Sequence, residues 1–386
     1  MNRSFSSSKV RYESLDALRG LSLMGIFLVH MVEYYAMAHL KPEESVTHDI
    51  IYFLFSGKAF SAFAFLFGVS FYIIIDGQRR RNIDFRKRFC WRLCILLTFG
   101  WLHGLVYFGD VLTSLAIFGL LIVPFYFAKT RLVLIGGAIF LFQLPTLLYL
   151  ISSFIFKFEL QGPDFGGNDI SSAYEAFTNG SFIDVVNVNL WKTQFGVWMF
   201  NFQACRGSVI LGMMLLGLAF GQSNTIKNLA ENTKRLFTWC ILACILGILC
   251  YIIQIFIQNN AIDDGFGQFY LHTSIVSIKK VAFTIFGISG FFLLYKYKIF
   301  QKLTSYLKPA GRMSLTLYIS QSIIAVPIFY GYGLGAYAYI GQTNAFLLGI
   351  GLWVSQMIFA KLWLKNFQYG PLEGIWRKLT YLKFQP

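Results

Sequence analysis

The sequence predicts an all-α polytopic membrane protein, a bundle of about ten transmembrane helices with both termini cytoplasmic. Three observations carry this. Hydrophobic residues make up 56% of the chain and charged ones 13%, about half the charge of an ordinary soluble domain. The apolar residues gather in runs long enough to cross a bilayer core of roughly 30 Å. The basic residues alternate from loop to loop, dense in one set and sparse in the other, which orients a membrane chain. The net charge of +15 is therefore a topology signal, and nucleic acid is excluded as the partner. The length of 386 residues allows one transmembrane domain over 1–386 with no soluble domain of ordinary size.

The expected spans are Leu15–Tyr35, Ile50–Ile75, Trp91–Phe108, Val111–Ala128, Leu132–Ile155, Phe200–Gly221, Leu236–Ile257, Leu271–Tyr295, Met313–Tyr330 and Ala345–Trp363. The polar, basic N-terminus followed by an apolar run reads as an uncleaved signal-anchor. Gly109 and Asp110 make the third and fourth spans a tight hairpin. The inner loops hold Arg3, Lys9 and Arg11, then Arg79, Arg80, Arg81, Arg86, Lys87 and Arg88, then Lys129 and Arg131. Further along they hold Lys227, Lys234 and Arg235, then Lys296, Lys298, Lys302 and Lys308, and finally the tail of 366–386. The outer loops carry only Lys41, Lys157 and Lys192. One long outer segment, about 156–199, reads as a cap or lid holding a surface helix. The six cysteines lie in or beside apolar runs without metal-site spacing, so they read as apolar filler and no metal is expected.

Ionisable residues inside spans are costly and mark function by default. In LDALRGLSLMGIFLVHM, Arg19 sits near the inner end of the first span and His30 eleven residues later, roughly 16 Å deeper. All five histidines (His30, His39, His48, His103 and His272) fall on the outer half or outer surface. His39 and His272 read as ordinary interfacial residues. His30, His48 and His103 could share an outward cavity, although a structural role explains any one of them equally well. The cations form two layers. Arg19, Arg92 and Arg312 lie at inner helix ends, where they anchor the helices or grip the phosphates of an anionic cytosolic ligand. Lys58, Arg206, Lys279 and Lys280 lie deeper with almost no buried acid to pair with, which argues for a wet, anion-friendly cavity. Lys279 and Lys280 are adjacent and diverge by about 100° on a helix, so they do not share one cavity. Gln321 adds a polar group to the ninth span.

An inner basic socket with imidazoles on the far side suits acyl transfer. A donor such as acetyl-CoA or another acyl-CoA would enter from the cytosol, and an extracytoplasmic small-molecule or glycan acceptor would come from outside. Histidine would serve as general base, Asp110 could orient an imidazole, and Lys58, Arg206 or Lys280 would stabilise the oxyanion. A transporter or channel for an anionic solute, using the same deep cations, is the first alternative. A non-catalytic membrane scaffold, in which the polar residues only join helices, is the second.

LDALRGLSLMGIFLVHM, AFLFGVSFY, FRKRFCWRLCILLTFGWLHGLVYFGDVLTSLAIFGLL, PAGRMSLTLYISQSII and GPLEGIWRKLTY resemble, in that order, the YeiB-like membrane proteins, a family of unknown function. That family is similar to a wider set of transmembrane acyltransferases, including heparan-α-glucosaminide N-acetyltransferase and the acyltransferase-3 proteins of bacterial surface glycans. The resemblance implies acyl transfer at a bacterial inner membrane. Arg19 and His30 reproduce the spacing of the acyltransferase-3 first helix. YeiB-like proteins often have Asn at the position of His30, while their hairpin carries the histidine matching His103. In the lysosomal enzyme the catalytic histidine lies just before the second span, where this chain has His48. The resemblance leaves three candidate bases, His30 and His103 ahead of His48. Acceptor, acyl chain and oligomeric state stay open.

Overall fold

The computed structural model describes residues 12–40, 44–160, 167–223, 225, 232–259 and 266–382. Arg3, Lys9, Arg11, Lys41, Asp164, Lys227 and Lys383 lie outside them. The regular elements among the described residues are all helices, with no strand among them.

The first span is α1 (Glu13–Val29), which runs on into a π-helical turn, His30–Tyr35. A π turn widens the helix by one residue per turn, and such turns concentrate at functional sites. Here it begins at His30. α2 (Val46–Phe55) and α3 (Lys58–Arg79) form one long run interrupted at Ser56 and Gly57. Gly57 has φ +71°, a backbone conformation that costs glycine little. α4 (Arg86–Val106) and α5 (Leu112–Ile122) make the expected hairpin. α5 continues as the 3-10 turn Val123–Phe127; the apolar stretch Leu112–Phe127 covers roughly 24 Å, shorter than a full core crossing.

Three helix pairs are bent at a short break. α6 (Thr130–Leu141) and α7 (Leu144–Phe156) meet at 55° across the left-handed residue Gln143. α8 (Gly167–Asn179) and α9 (Phe182–Leu190) follow as short helices of the outer segment. α10 (Lys192–Gln203) and α11 (Arg206–Gln222) then meet at 68° across Cys205, which has φ +59°. The first arm of this pair, Lys192–Gln203, overlaps the end of the expected cap at 192–199. α12 (Thr233–Asn259) and α13 (Phe266–Leu294) are long and pack on each other. α14 (Lys298–Thr304) and α15 (Lys308–Arg312) lead into α16 (Ser314–Phe329) through a 78° bend. α17 (Gln342–Asn366) is the last long apolar helix. Among the described residues, six helices are long and apolar enough to cross a membrane, and nine if each bent pair counts once. The chain is a multi-pass membrane protein in contact with lipid.

Burial fixes each helix's place. α1 is enclosed nearly all round, whereas α12 exposes Phe237, Leu242, Ile245, Ile252 and Phe256 and buries little beyond Leu236, Ala243, Gly247 and Cys250. Apolar side chains on an outer face are what a bilayer solvates. The centre is tied by backbone contact between α3 and α11. A Cβ on Gly68 would stand 1.9 Å from the Met214 carbonyl oxygen, and one on Gly217 would stand 2.0 Å from that of Phe65. Small residues at such crossings let helices close to packing distance.

The basic loops gather at one end. Arg86 lies over the Phe127 ring, Lys308 pairs with Glu13, and Trp91 donates to the Leu379 carbonyl. The stretch expected as a tail contains α18 (Pro371–Leu382), which packs back on α4 and α16 at this basic end.

Candidate functional site

Three cavities follow the axis of the bundle. The innermost, of about 270 Å³, runs from Arg92, Arg312, Glu373 and Trp376 at the basic end past Arg19 and Ser70 to Ile26 and Val111. The three cations expected to bind an anionic cytosolic ligand are thus brought into one cavity, and each is held. Arg19 donates to Asp16 at 3.2 Å, to the Gly311 carbonyl at 3.4 Å and to Ser70 at 2.8 Å. The Arg92 guanidinium lies 3.6 Å from the centre of the Trp376 ring, and Trp376 Nε1 donates to the Arg92 carbonyl at 2.8 Å. Arg312 donates to the Gln368 carbonyl.

Glu373 explains why the segments around 312–316 and 370–376 belong together. Its carboxylate accepts from the Leu315 and Thr316 amides at 2.7 and 3.1 Å and from the Thr316 hydroxyl at 2.6 Å. It supplies from another helix the N-terminal cap that α16 has no local side chain to give. Burial pushes its carboxyl above the usual range, against the pull of those hydrogen bonds. Its charge is engaged with α16, which leaves the cavity lining net positive.

Beyond Ile26 and Val111 lie two outer cavities, of about 170 and 210 Å³, and His30 and Arg206 line both. Ile26 and Val111 line the first of these as well as the inner cavity, so the two are separated by a thin apolar partition. His30 is 8% exposed. The rings of Tyr34, Tyr35 and Tyr107 surround it at 5.3–5.9 Å, and among the described residues no hydrogen bond engages its nitrogens. Lys280 lines the first outer cavity, its ammonium 5.9 Å from the Tyr52 ring centre. Arg206 lies over Phe60 at 4.6 Å and Phe200 at 5.8 Å. In the second, α8 closes the end with Ala173, Tyr174 and Phe177, and Asp110 and Asn201 add polar groups.

His103 is placed differently. Its Nδ1 is 2.8 Å from Asp110 Oδ1 and its Nε2 is 2.8 Å from Ser322 Oγ, which is 2.8 Å from the Tyr35 hydroxyl. The Asp110 carboxylate also accepts from the Leu112 and Thr113 amides, so it is the acceptor toward Nδ1. With the imidazole neutral, Nε2 accepts from Ser322, and Ser322 accepts from Tyr35. The order of groups is that of a serine, histidine and aspartate triad. But Ser322 is 1% exposed and lines none of these three cavities. The chain of hydrogen bonds fixes the wall behind His30.

Three expected site residues stand apart. His48 lies near the start of α2 with its Nδ1 3.3 Å from Asp49 and lines neither outer cavity. Lys58 is the first residue of α3 and donates to the Phe53 carbonyl, closing the end of α2. Gln321 donates to Gln356 at 3.1 Å and joins α16 to α17. Each finds its partner within its own turn or at a helix crossing, a demand the sequence does not display. Lys279 turns to Gln254 on α12, away from Lys280, as their spacing requires.

Sequence reasoning missed Glu33, Tyr34, Tyr35, Ser70, Glu373 and Trp376. Glu33 sits in the π turn with a buried Oε2 that lacks a hydrogen-bond partner. Glu373 and Trp376 belong to the quoted GPLEGIWR segment, where an acid and an indole beside a basic helix end were the available signal.

Two family models match separate parts of the chain. Residues 11–170 match the family model described as heparan-alpha-glucosaminide N-acetyltransferase, catalytic. Residues 220–383 match one described as a protein of unknown function, DUF418. The uncharacterized protein YxaH of Bacillus subtilis is 26% identical, covering 96% of this chain and 94% of its own. An uncharacterized 39.9 kDa protein from the amylase 3' region of Bacillus acidopullulyticus is 28% identical over the same shares. The uncharacterized protein YeiB of Escherichia coli is 24% identical over 96% of each chain. The chain is thus similar over 96% of its length to the bacterial proteins YxaH and YeiB, with residues 11–170 similar to an N-acetyltransferase catalytic region and residues 220–383 to DUF418.

Proposed function

We propose that the protein is a transmembrane acyltransferase of the bacterial inner membrane, moving an acetyl group from cytosolic acyl-CoA to an extracytoplasmic carbohydrate or envelope acceptor. The observation that carries this is His30, hydrogen-bonded to nothing among the described residues, in a cavity that shares Ile26 and Val111 with the arginine-lined cavity of the basic end. The match of residues 11–170 to an N-acetyltransferase catalytic region supports the same reading.

Arg19, Arg92 and Arg312 would hold the phosphates of the donor, since guanidinium pairs with phosphate bidentately. The pantetheine arm would follow the apolar wall toward Ile26 and Val111, placing the thioester at the partition. His30 takes the proton of the acceptor hydroxyl or amine as its oxygen or nitrogen attacks the thioester carbonyl. The new C–O or C–N bond forms, the C–S bond breaks, and the leaving thiolate recovers a proton through the imidazole. The positive charge of Arg206, in the same cavity as His30, offsets the negative charge that develops during the attack. His103, Asp110 and Ser322 position Tyr35, whose ring packs on His30. In this reading His30 is the base and His103 a positioning residue.

Thermal shift of the purified protein with acetyl-CoA tests it, with CoA and an unrelated nucleotide as controls. A bound donor raises the melting temperature with concentration, and Arg19→Ala weakens the shift. No specific shift over a millimolar range would move the assignment to an anion transporter. The broken helices beside Arg206 and Lys280 favour that second reading, because such breaks build solute sites in transporters. It predicts solute flux into liposomes without acyl-CoA, lost in Lys280→Ala.

A further inference from the structure

The first outer cavity is built as an oxyanion site. Two helices begin at it. α3 starts after the break at Ser56 and Gly57, and α11 starts after the break at Cys205. Neither has a side-chain cap, so their first amides point outward without local partners. Ser56 and Gly57 from one break, with Ala204 and Arg206 from the other, line the same space. Each helix end carries roughly half a positive charge.

Two full charges join them. Lys280 reaches across from α13, and its stem runs so close to the first break that a Cβ on Gly57 would stand 2.7 Å from its Cδ. Among the described residues, Arg206 and Lys280 make no hydrogen bond or ion pair, only the ring contacts above. The flat face of Arg206 rests on Phe60 and Phe200, which leaves its N–H edge for a bidentate partner. Among the described residues no carboxylate lines the cavity, and Glu33 makes no ion pair with Lys280. His30, only 8% exposed and without a hydrogen bond, lines the same space.

We propose that this cavity binds a phosphate group carried by the acceptor, so that the acceptor is a phosphorylated hydroxyl compound whose free hydroxyl meets His30. Two uncapped helix ends, a guanidinium fork and an ammonium match a tetrahedral oxyanion better than a planar carboxylate. The word acceptor rests on the acyltransferase reading; the phosphate site does not. A soluble polyol phosphate and a lipid headgroup present the same chemistry here.

The test separates these sources. In one arm, the full chain in phosphatidylcholine nanodiscs is titrated with glycerol 3-phosphate, with glycerol and inorganic phosphate as controls, and melting is followed. In the other, the nanodiscs contain phosphatidylglycerol and no soluble ligand is added. A saturable rise in one arm is expected, weakened about tenfold or more in Arg206→Gln and in Lys280→Gln and unchanged in Lys279→Gln. No rise in either arm, up to about 10 mM of the soluble probe, overturns the proposal. So does a rise that both Gln variants retain. Inorganic phosphate acting as strongly as glycerol 3-phosphate would reduce the site to a bare anion site and overturn its role in choosing the acceptor. If Arg206→Gln does not fold, Lys280→Gln and the wild-type titration decide. The acetyl-CoA shift is read separately. A donor shift without a phosphate shift sinks this proposal alone, and the reverse sinks acyl transfer while leaving the phosphate site.

Discussion

The inner and outer cavities are both cationic, and they hold their cations in opposite ways. In the inner one Arg19 spends its donors on Asp16, Gly311 and Ser70, while Arg92 is clamped on Trp376. In the outer one Arg206 and Lys280 make ring contacts and, among the described residues, no hydrogen bond or ion pair. The same split separates the two histidines, since His103 has both nitrogens engaged and His30, among the described residues, has neither. A charge tied into the protein lends rigidity and direction. A charge left open in an apolar bundle is held at an energetic cost, and a ligand relieves it.

Substitutions can break this contrast. The largest effect is expected in His30→Ala. Transfer should fall about 10²–10⁴-fold, the usual worth of a general base, with the acetyl-CoA melting shift intact. Transfer that survives in His30→Ala would remove it as the base. His103→Ala should instead cost about 3–5 kcal/mol of stability, because Asp110 stays buried without its partner. A melting temperature near wild type would show that the pair is not structural. Arg19→Ala should cost about 1–3 kcal/mol, since it strands partners at a helix crossing. Arg206→Gln should cost less than about 1 kcal/mol, there being no hydrogen bond to lose. Equal losses in these two variants would erase the distinction between the cavities.

The smallest expected effect is a pH dependence at Glu373. Its carboxyl is raised by burial, so the folded chain holds that proton more tightly than the unfolded one. Compared with Glu373→Gln, the wild type should therefore gain stability as pH falls through the raised value, then level off below the ordinary glutamate range. Melting curves of both proteins across that window check the sign. A difference that shrinks as pH falls would mean that the hydrogen bonds from Leu315 and Thr316 outweigh desolvation.

The apolar runs and the alternation of basic loops made the helices legible, because both are local properties of the chain. The hairpin was legible from Gly109 and Asp110, and the inner cavity from three arginines at three helix ends. The breaks at Gln143 and Cys205 were not. Left-handed backbone at a residue with a Cβ costs roughly 1–2 kcal/mol, and only tertiary packing can hold it there. The roles of Lys58 and Gln321 were hidden for a related reason. A polar residue in a span signals that it needs a partner, not whether that partner is substrate, its own turn, or Gln356 on the next helix. His30 and His103 look alike in sequence and differ only in what the fold brings to their nitrogens.

The cap that Glu373 places on α16 has a consequence for how the chain is made. The carboxylate comes 58 residues after the Leu315 amide it binds. α16 is therefore made with its first amides open, and they stay open until α18 has been made as well. The inner cavity shares that fate, since Glu373 and Trp376 form part of its wall. A chain cut short before α18 would carry its long apolar helices yet have an unfinished basic end.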